Sequence, residues 1–252
     1  MSRPTISLIV ITRDEEELIG QCLGSAKAFC DELVVVDSFS TDRTVAIAEG
    51  LGARVFQQEF TDYVRQKQAA LDHATSDWVL LLDADEQATG DLGREIEAVV
   101  ALPTADGYRI QRVLYHLRHY YRRPIYRDFP VRLFRRTKGH IGGIDPHDKV
   151  VVAGPVGRLN APILHFSYRD VADHVATMNR FSTRGAAQIE PSALAAVQMI
   201  THPLWRFFNF YVLRGGFMEG GRGLYAAMTA AFYVFLKYAK VYERRIQNLR
   251  PR

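Results

Sequence analysis

Apolar and polar residues alternate in blocks along the first third of the chain. Four short apolar runs are typical of β-strands, and they occupy residues 5–12, 32–37, 53–57 and 77–83. Residues 16–29 and 61–75 have apolar positions at helical spacing, and a third helix follows the second strand, where Ser40 or Thr41 can cap it. This order predicts an α/β protein with a doubly wound, mostly parallel sheet.

Polar segments follow three of the predicted strands. They are TRDE at 12–15, DSFSTD at 37–42 and DADE at 83–86. Because ligands of doubly wound sheets bind beyond the carboxyl ends of the strands, these segments predict a ligand site. The glycine-rich loops GxGxxG and GxxxxGKS/T do not occur in the sequence, so the phosphates of a ligand would need another partner.

Asp83 and Asp85 suggest a metal ion as that partner. Carboxylates crowded at the end of a buried strand persist where a cation compensates their charge. Two residues apart, these side chains can lie on one side and share an ion, and their hard oxygen atoms favour Mg²⁺ or Mn²⁺. The alternative from these residues alone is a helix cap at Asp83 beside solvated loop acids.

Composition and charge narrow the class of protein. The 252 residues are 48% hydrophobic and 24% charged, which suits one core or a domain with an appendage. Cys22 and Cys30 lack metal-site spacing, and we interpret them as reduced packing residues, which favours the cytosol. Ten Arg or Lys residues and one acid lie at 108–140, and nine basic residues and two acids lie at 199–252, so both regions favour an anionic partner or surface.

Three longer segments resemble the nucleotide-sugar half of the family 2 glycosyltransferases, which have the GT-A fold and a DxD signature. These segments are ISLIVITRDEEELIGQCLGS, ELVVVDSFSTDRTVAIAEGLGARV and RQKQAALDHATSDWVLLLDADE. The similarity continues through HDKV at 147–150 and through residues 163–186 and 213–243. Within the family, the chain resembles glucosyltransferase-type enzymes of lipopolysaccharide inner-core assembly.

The resemblance implies a fold, a donor and a metal ion. The fold is a GT-A, Rossmann-like sheet with a C-terminal helical, amphipathic extension. The donor is a UDP-sugar, and the residues implied to bind it are Thr12, Asp14, Glu15, Asp37, Lys67 and Asp83. Of these, Lys67 would approach the diphosphate and Asp83 would face the ribose and the metal, while Asp85 would be a direct ligand of Mg²⁺ or Mn²⁺.

The loop GGIDPHDKV contains the residues that we expect to act on the acceptor. Glycine and proline mark it as a loop, where catalytic groups concentrate. We assign Asp148 as the general base and Asp145 as the second candidate; the alternative is a turn with capping acids. The family usually has a His-Glu pair where this chain has His147 and Asp148, and a glycine where it has Phe39.

Other basic residues suggest a third metal ligand and an acceptor site. His165 ends a predicted strand and is assigned to the metal shell, although a lone histidine there is more often a packed residue. Arginines interleaved with Tyr and His at 108–136 suit RNA or a phosphorylated glycolipid. We favour an anionic glycolipid or saccharide acceptor, bound by Arg132, Arg135 and His147, and no nucleic acid.

The C-terminal segment 203–245 is aromatic and basic. Its uncharged apolar run at 224–236 is shorter than the roughly twenty residues that span a bilayer. We predict an interfacial segment on a membrane surface, which would make the protein cytoplasmic and peripheral on the inner face of the cytoplasmic membrane. The alternative is a helical pair packed on the domain or on a second copy in a homo-oligomer.

These observations predict an inverting glycosyltransferase. It would move a hexose, expected to be glucose, from a UDP-sugar to a lipid-linked or lipopolysaccharide-core saccharide. Residues 1–107 would bind the nucleotide sugar, 108–190 the acceptor and catalytic groups, and 191–252 would form the helical extension. The rival classes are a nucleotidyltransferase of sugar phosphates, whose glycine-rich, lysine-containing loop is missing from ITRDEEE, and a non-catalytic saccharide or nucleic-acid binding module.

Overall fold

The computed structural model describes residues 3–121, 128–144 and 147–249. The chain forms two compact units, which are Met1–Leu114 with Arg127–Phe166, and Tyr115–Tyr126 with Ser167–Arg252. These units divide the chain by packing. The division by function into 1–107, 108–190 and 191–252 therefore stays a prediction.

The strands of the described residues are short. In chain order they are β1 (Ile6–Thr12), β2 (Glu32–Asp37), β3 (Arg54–Gln57), β4 (Trp78–Asp83), β5 (Glu86–Ala88), β6 (Gly107–Arg109), β7 (Arg112–His116), β8 (His119–Tyr120), β9 (Val131–Arg135), β10 (Gly139–Ile144), β11 (His147–Val152), β12 (Val156–Arg158) and β13 (Ile163–His165). All belong to the first unit except β8 and the last two residues of β7.

The α-helices divide between the two units. The first unit contains α1 (Ile19–Ala26), α2 (Thr44–Gly50), α3 (Tyr63–His73) and α4 (Gly90–Ala101). The second unit contains α5 (Val171–Ala187), α6 (Ala195–Phe208) and α7 (Gly220–Leu249). A π-helix at Asn209–Leu213 and a 3-10 helix at Gly216–Glu219 join the last two.

The main sheet of the first unit has seven strands in the order β12-β6-β9-β4-β1-β2-β3. Strands β1 to β4 are parallel, and β9 runs antiparallel to both of its neighbours. Thr12 pairs with Asp37, and Ile11 pairs with Asp83, so the three polar segments that follow β1, β2 and β4 lie at one edge of the sheet. The predicted doubly wound, mostly parallel α/β fold is confirmed.

Both faces of this sheet are covered, which explains the nearly continuous apolar runs of its central strands. Leu8 and Leu80 belong to the core cluster that includes residues of α1, α2 and α4. Ile9 and Leu81 belong to the opposite cluster, with residues of α3. Cys22 is buried in the first cluster. Successive residues of each strand therefore enter different cores.

The predicted cap of α2 is wrong. The helix begins at Thr44, and the capping position is occupied by Arg43, whose side chain makes no capping hydrogen bond. The hydroxyl of Ser40 instead accepts a hydrogen bond from the backbone N–H of Asp14, 2.8 Å away. The backbone N–H of Thr41 donates to the carboxylate of Asp14. Ser40 and Thr41 therefore link the segment after β2 to the segment after β1 instead of capping α2.

The second unit confirms the predicted helical extension. Helices α6 and α7 lie side by side in opposite directions, since Arg245 near the end of α7 donates to the carbonyl of Ala193 just before α6, at 2.9 Å. The rings of His202 and Tyr238 meet edge to face along this contact. In the described part of the chain, no helix is long and apolar enough to cross a membrane.

Leu80 provides a test of the two-sided core. Leu80→Ala removes a fully buried side chain of β4 and should lower the free energy of unfolding by about 2–5 kcal/mol, measured by denaturant titration. Leu102→Ala is the matched control, because Leu102 is 82% exposed, and it should change stability by less than about 0.5 kcal/mol. Equal losses for both variants would contradict the described core.

Candidate active site

The segments after β1 and β2 form one hydrogen-bonded surface. The carboxylate of Asp14 accepts from the backbone N–H of Thr41 at 2.7 Å, and the buried carboxylate of Asp37 accepts from the backbone N–H of Ser40 at 2.9 Å. Glu15 donates its backbone N–H to the hydroxyl of Thr44 at 2.7 Å. The residues predicted to bind the nucleoside are thus brought together at the carboxyl edge of the sheet.

Two features of this surface point to a ligand. The hydroxyl oxygen of Thr12 is buried, and it has no hydrogen-bond partner among the described residues. Phe39 has a backbone φ of 57°, a conformation that is rare for bulky residues, and its ring is 54% exposed. Glycine adopts this left-handed backbone without steric cost, whereas the bulky side chain of Phe39 does not favour it.

A line of alternating charges runs through the rest of the site. It joins acids and bases from six elements and the segment before β9, and all of its members belong to the first unit. In order they are Asp148, Lys67, Asp83, Arg132, Glu86, Arg112 and Asp128.

Lys67 joins two carboxylates that the sequence assigned to different tasks. Its ammonium nitrogen lies 2.9 Å from Asp83 Oδ1 and 2.8 Å from Asp148 Oδ2. Burial acts to lower the pKa of Lys67, but the charges of Asp83 and Asp148 outweigh it and raise this pKa. The ammonium is therefore held in its charged form between the strand end of β4 and the strand β11.

Arg132 holds the acids at the end of β4. Its Nη2 atom lies 2.8 Å from Asp83 Oδ2 and 2.7 Å from Glu86 Oε1. Glu86 is fully buried, and its other oxygen accepts from the backbone N–H of Asp83 at 2.9 Å. Burial alone would raise the pKa of Asp83, but Arg132 and then Lys67 hold it well below its usual range. Both oxygens of Asp83 are thus occupied by cations.

Asp85 lies outside this line of charges. Its Oδ2 atom is 3.1 Å from His165 Nε2, and its carbonyl accepts from the backbone N–H of Phe166. Burial acts to lower the pKa of His165, but the charge of Asp85 outweighs it, so the pKa is raised. The structure therefore brings together Asp85 and His165, two of the predicted metal ligands.

This donor pair fits a divalent cation in part. A carboxylate oxygen and an imidazole nitrogen suit Mn²⁺ or Mg²⁺ when water and phosphate oxygens supply the remaining positions. Among the described residues, no group of three or more His, Cys, Asp or Glu side chains could hold a metal ion. The geometry thus brings two predicted ligands together, while the oxygens of Asp83, the third, contact Lys67 and Arg132.

Arg132 and Arg135, the predicted acceptor residues whose side chains the structure describes, do not share a site. The guanidinium of Arg132 is turned inward, with 4% of its side chain exposed, so it supports the acids of β4 instead of facing an acceptor. Arg135 pairs with Trp78 in the sheet register, at the far end of β4 from Asp83, and binds Asp106. Asp145 lies outside the described residues, as does the side chain of His147.

Comparison with known proteins identifies the family. The sequence profile "Glycosyl transferase family 2" matches residues 7–153, which contain nearly all of β1, the strands β2 to β4 and every member of the line of charges. The chain belongs to glycosyltransferase family 2. An uncharacterized glycosyltransferase of Rickettsia felis is 32% identical to it, over 96% of this chain and 91% of the relative.

Two further family 2 comparisons cover nearly the whole chain. The lipopolysaccharide core biosynthesis glycosyltransferase LpsC of Rhizobium meliloti is 32% identical, over 98% of this chain and 95% of the relative. The solved structure of S. aureus TarS 1-349 in complex with UDP-GlcNAc has a TM-score of 0.53 and 17% identity, over 97% of this chain and 92% of that one. The second similarity shows the shared fold.

Sequence reasoning missed three members of this family 2 site. Glu86 was quoted within DADE but given no role, and Arg112 and Asp128 were counted only as part of a basic region. Arg112 lies 3.1 Å from Glu86 Oε1, and its Nε atom lies 2.8 Å from Asp128 Oδ2. A signal was available, because an acid directly after a buried apolar run needs a compensating cation.

Arg132 offers a test of the charge network. Arg132→Met leaves Asp83 and Glu86 without their buried partner and should lower the free energy of unfolding by about 3–5 kcal/mol. Adding Glu86→Gln to this variant should recover part of the loss. Stability is measured by denaturant titration.

Arg94→Met is the control for loss of an arginine. Its ion pair with Asp91 is exposed on both sides, so stability should hardly change. A loss for Arg132→Met no larger than that of Arg94→Met would show that the buried network does not stabilise the fold.

Proposed function

We propose that this family 2 enzyme transfers a hexose from a UDP-sugar to a saccharide acceptor of the lipopolysaccharide core, with inversion and with the aid of a divalent cation. The observation that carries the proposal is the pair Asp85 and His165, which meets beside Asp83 at the carboxyl edge of the sheet. Similarity to LpsC supports the acceptor class, and the UDP-GlcNAc bound to TarS supports a UDP-sugar donor. The sugar is proposed to be glucose.

The donor would occupy the surface formed by the ends of β1, β2 and β4. Thr12, whose buried hydroxyl has no partner in the described residues, would bind the nucleoside together with Asp14, Glu15 and Asp37. The diphosphate would lie near Lys67. In this arrangement residues 1–107 bind the donor and residues 108–190 supply Asp148 and His165.

Asp85 and His165 would hold Mg²⁺ or Mn²⁺ beside the diphosphate. When bound, such an ion neutralises the negative charge that develops on the leaving nucleoside diphosphate. The chain's own contribution is to fix the two ligands. The backbone N–H of Phe166 donates to the carbonyl of Asp85 at 2.8 Å, and His165 pairs with Glu86 in the register of β13 and β5.

Asp148 would act as the general base. Its carboxylate takes the proton from an acceptor hydroxyl as the hydroxyl oxygen forms a bond to the anomeric carbon. The bond from that carbon to the diphosphate breaks on the opposite face, and UDP leaves, so the configuration is inverted. Asp145 remains the alternative base.

The metal site predicts the behaviour of Asp85→Asn. This variant should reduce kcat/KM by about two to three orders of magnitude, since it removes an electrostatic partner of the leaving group. It should also weaken Mn²⁺ binding measured by calorimetry in the presence of UDP. The transfer assay uses a panel of UDP-sugars with a lipopolysaccharide-core acceptor, with and without chelator.

Asp91→Asn is the matched control, because Asp91 is an exposed acid in the first turn of α4. It should leave both metal binding and transfer unchanged. Full activity of the wild-type protein in chelator would refute the metal role, and hydrolysis or transfer of no UDP-sugar in the panel would refute the proposed donor.

An exposed apolar surface in the second unit supports membrane attachment. On α6 and just before it, large exposed side chains recur every three or four residues, which places them on one side of the helix. They are Leu194, Val197, Ile200, Leu204, Trp205 and Phe208. A second stripe follows the same spacing on α7 and consists of Leu224, Met228, Phe232 and Phe235. We call these two stripes the apolar face.

The charges of these helices favour an anionic lipid surface as the occupant. Arg206, Arg222 and Lys237 form no ion pair with any acid in the described residues. Lys237 has its pKa lowered by burial and by the nearby charge of Arg206. Uncompensated cations beside an apolar face suit anionic headgroups above acyl chains. The surface of attachment is thus proposed to lie within 203–245 and to begin earlier, at residue 194.

Membrane attachment is tested with a charge placed on the apolar face. Wild-type protein should sediment with vesicles of phosphatidylglycerol and phosphatidylcholine and be partly released by high salt. A double variant, Leu204→Glu with Met228→Glu, should remain in the supernatant while still binding UDP. Leu102→Glu is the control at an exposed leucine of the first unit, and it should sediment like wild type.

The outcome for a homo-oligomer differs. If the apolar face instead binds a second copy, the wild type should ignore vesicles and run as a dimer in light scattering, and the double variant should run as a monomer. That result would refute the membrane proposal and leave the transfer chemistry unaffected.

A further inference from the structure

In the described part of the site, Lys67 contacts one carboxylate on the proposed donor side and one on the proposed acceptor side. It reaches from α3 to Asp83, at the strand end where the donor is proposed to bind, and to Asp148, the proposed base. Its side chain is 6% exposed. One buried ammonium therefore contacts both Asp83, proposed to lie at the donor, and Asp148, proposed to act on the acceptor.

The two carboxylates depend on Lys67 to different degrees. Asp83 has Arg132 at 2.8 Å as a second cation, with Arg112 at 3.7 Å. Among the residues that the structure describes, Asp148 forms its ion pair with Lys67 alone. If the ammonium moved away, Asp83 would stay compensated and Asp148 would lose its partner.

Lys67 donates to Asp148 Oδ2 at 2.8 Å, so an acceptor proton would compete with the ammonium for this carboxylate. An ammonium at hydrogen-bond distance favours the ionised carboxylate, so taking up a proton costs the energy of the contact. While this contact is made, the ammonium occupies the carboxylate that would have to accept the proton. A mechanism is needed that removes Lys67 from Asp148 when the donor is present.

The diphosphate of the donor can supply this mechanism. Lys67 is a point charge on a flexible stem with three N–H donors, so its ammonium can turn toward new oxygen atoms without a backbone change. The two phosphates bring negative charge close to Asp83 and compete with the carboxylates for the same ammonium. When the ammonium turns toward the phosphates, Asp83 keeps its contacts with Arg132 and Arg112, whereas Asp148 loses its ion pair with Lys67.

We propose that Lys67 clamps Asp148 until the donor diphosphate binds and then releases it as an active base. The inference rests on the proposed donor site and adds to it a link between donor binding and base activation. Lys67 is a positioning residue in this scheme, since it acts on the acceptor hydroxyl through Asp148. The acceptor would react only in the complex with donor.

The clamp predicts an unusual effect of Asp148→Asn on UDP binding. Because Asp148 and the diphosphate compete for Lys67, Asp148→Asn should tighten UDP binding in calorimetry by about tenfold, the scale of one charged hydrogen bond. A base that acts on the acceptor alone would leave the affinity unchanged. A residue with only a structural role would weaken binding when replaced.

The same substitution in a Lys67→Met variant distinguishes release of Lys67 from the general effect of removing a negative charge on UDP affinity. Lys67→Met should weaken UDP binding, and in this background Asp148→Asn should give no further tightening. If tightening persists at equal size with Lys67→Met, it comes from long-range charge, and the clamp is refuted. Asp106→Asn is the control, because it removes a carboxylate ion-paired to Arg135 away from the site, and it should leave UDP affinity unchanged.

The outcomes also distinguish the clamp from the proposed donor. If wild type binds no UDP, the donor proposal fails. If UDP binds and Asp148→Asn leaves its affinity unchanged, the clamp fails and the donor proposal stands. Thermal melting of each variant is recorded, and Lys67→Gln replaces Lys67→Met where the methionine variant does not melt cooperatively.

Discussion

The contact of Arg132 with Asp83 and Glu86 is the interaction on which the site depends. A buried strand that ends in carboxylates loses solvation energy at its most polar point, and contact with a cation or with hydrogen-bond donors compensates this loss. Arg132 lies on β9, the antiparallel neighbour of β4, so the pairing of the two strands places its guanidinium beside Asp83 and Glu86. The same pairing fixes the direction in which Asp83 points, and with it the position of Lys67.

A turn at residues 84–85 separates the two aspartates of the DxD segment. In a continued strand, side chains two apart would lie on the same face, which is the basis for expecting Asp83 and Asp85 to share an ion. The turn directs Asp83 toward Lys67 and Arg132 and leaves Asp85 beside His165. Two carboxylates of one short motif therefore have different partners.

The alternating apolar and polar blocks of the sequence predicted the sheet, because a strand that is buried on both faces has a nearly continuous run of apolar residues. It also predicted that the ends of β1, β2 and β4 meet, since parallel strands share a carboxyl edge. The inward role of Arg132 could not be predicted in this way, because an arginine in a basic segment looks solvated and its partners lie about fifty residues earlier. The start of the apolar face before residue 203 was missed for a related reason, since exposure of an apolar stripe depends on what α7 covers.

The charges of the site determine which ion pairs a bound donor would have to break. The line from Asp148 to Asp128 has four acids and three basic side chains, and Asp85 adds one more acid. A divalent cation at Asp85 would balance this excess, but the phosphates of a bound donor would then restore it. Arg132 cannot turn to them, because it is buried between Asp83 and Glu86. Lys67 has a flexible stem and contacts both Asp83 and Asp148, so it is the cation that can turn toward the phosphates, and Asp148 is the acid that this movement leaves without an ion pair.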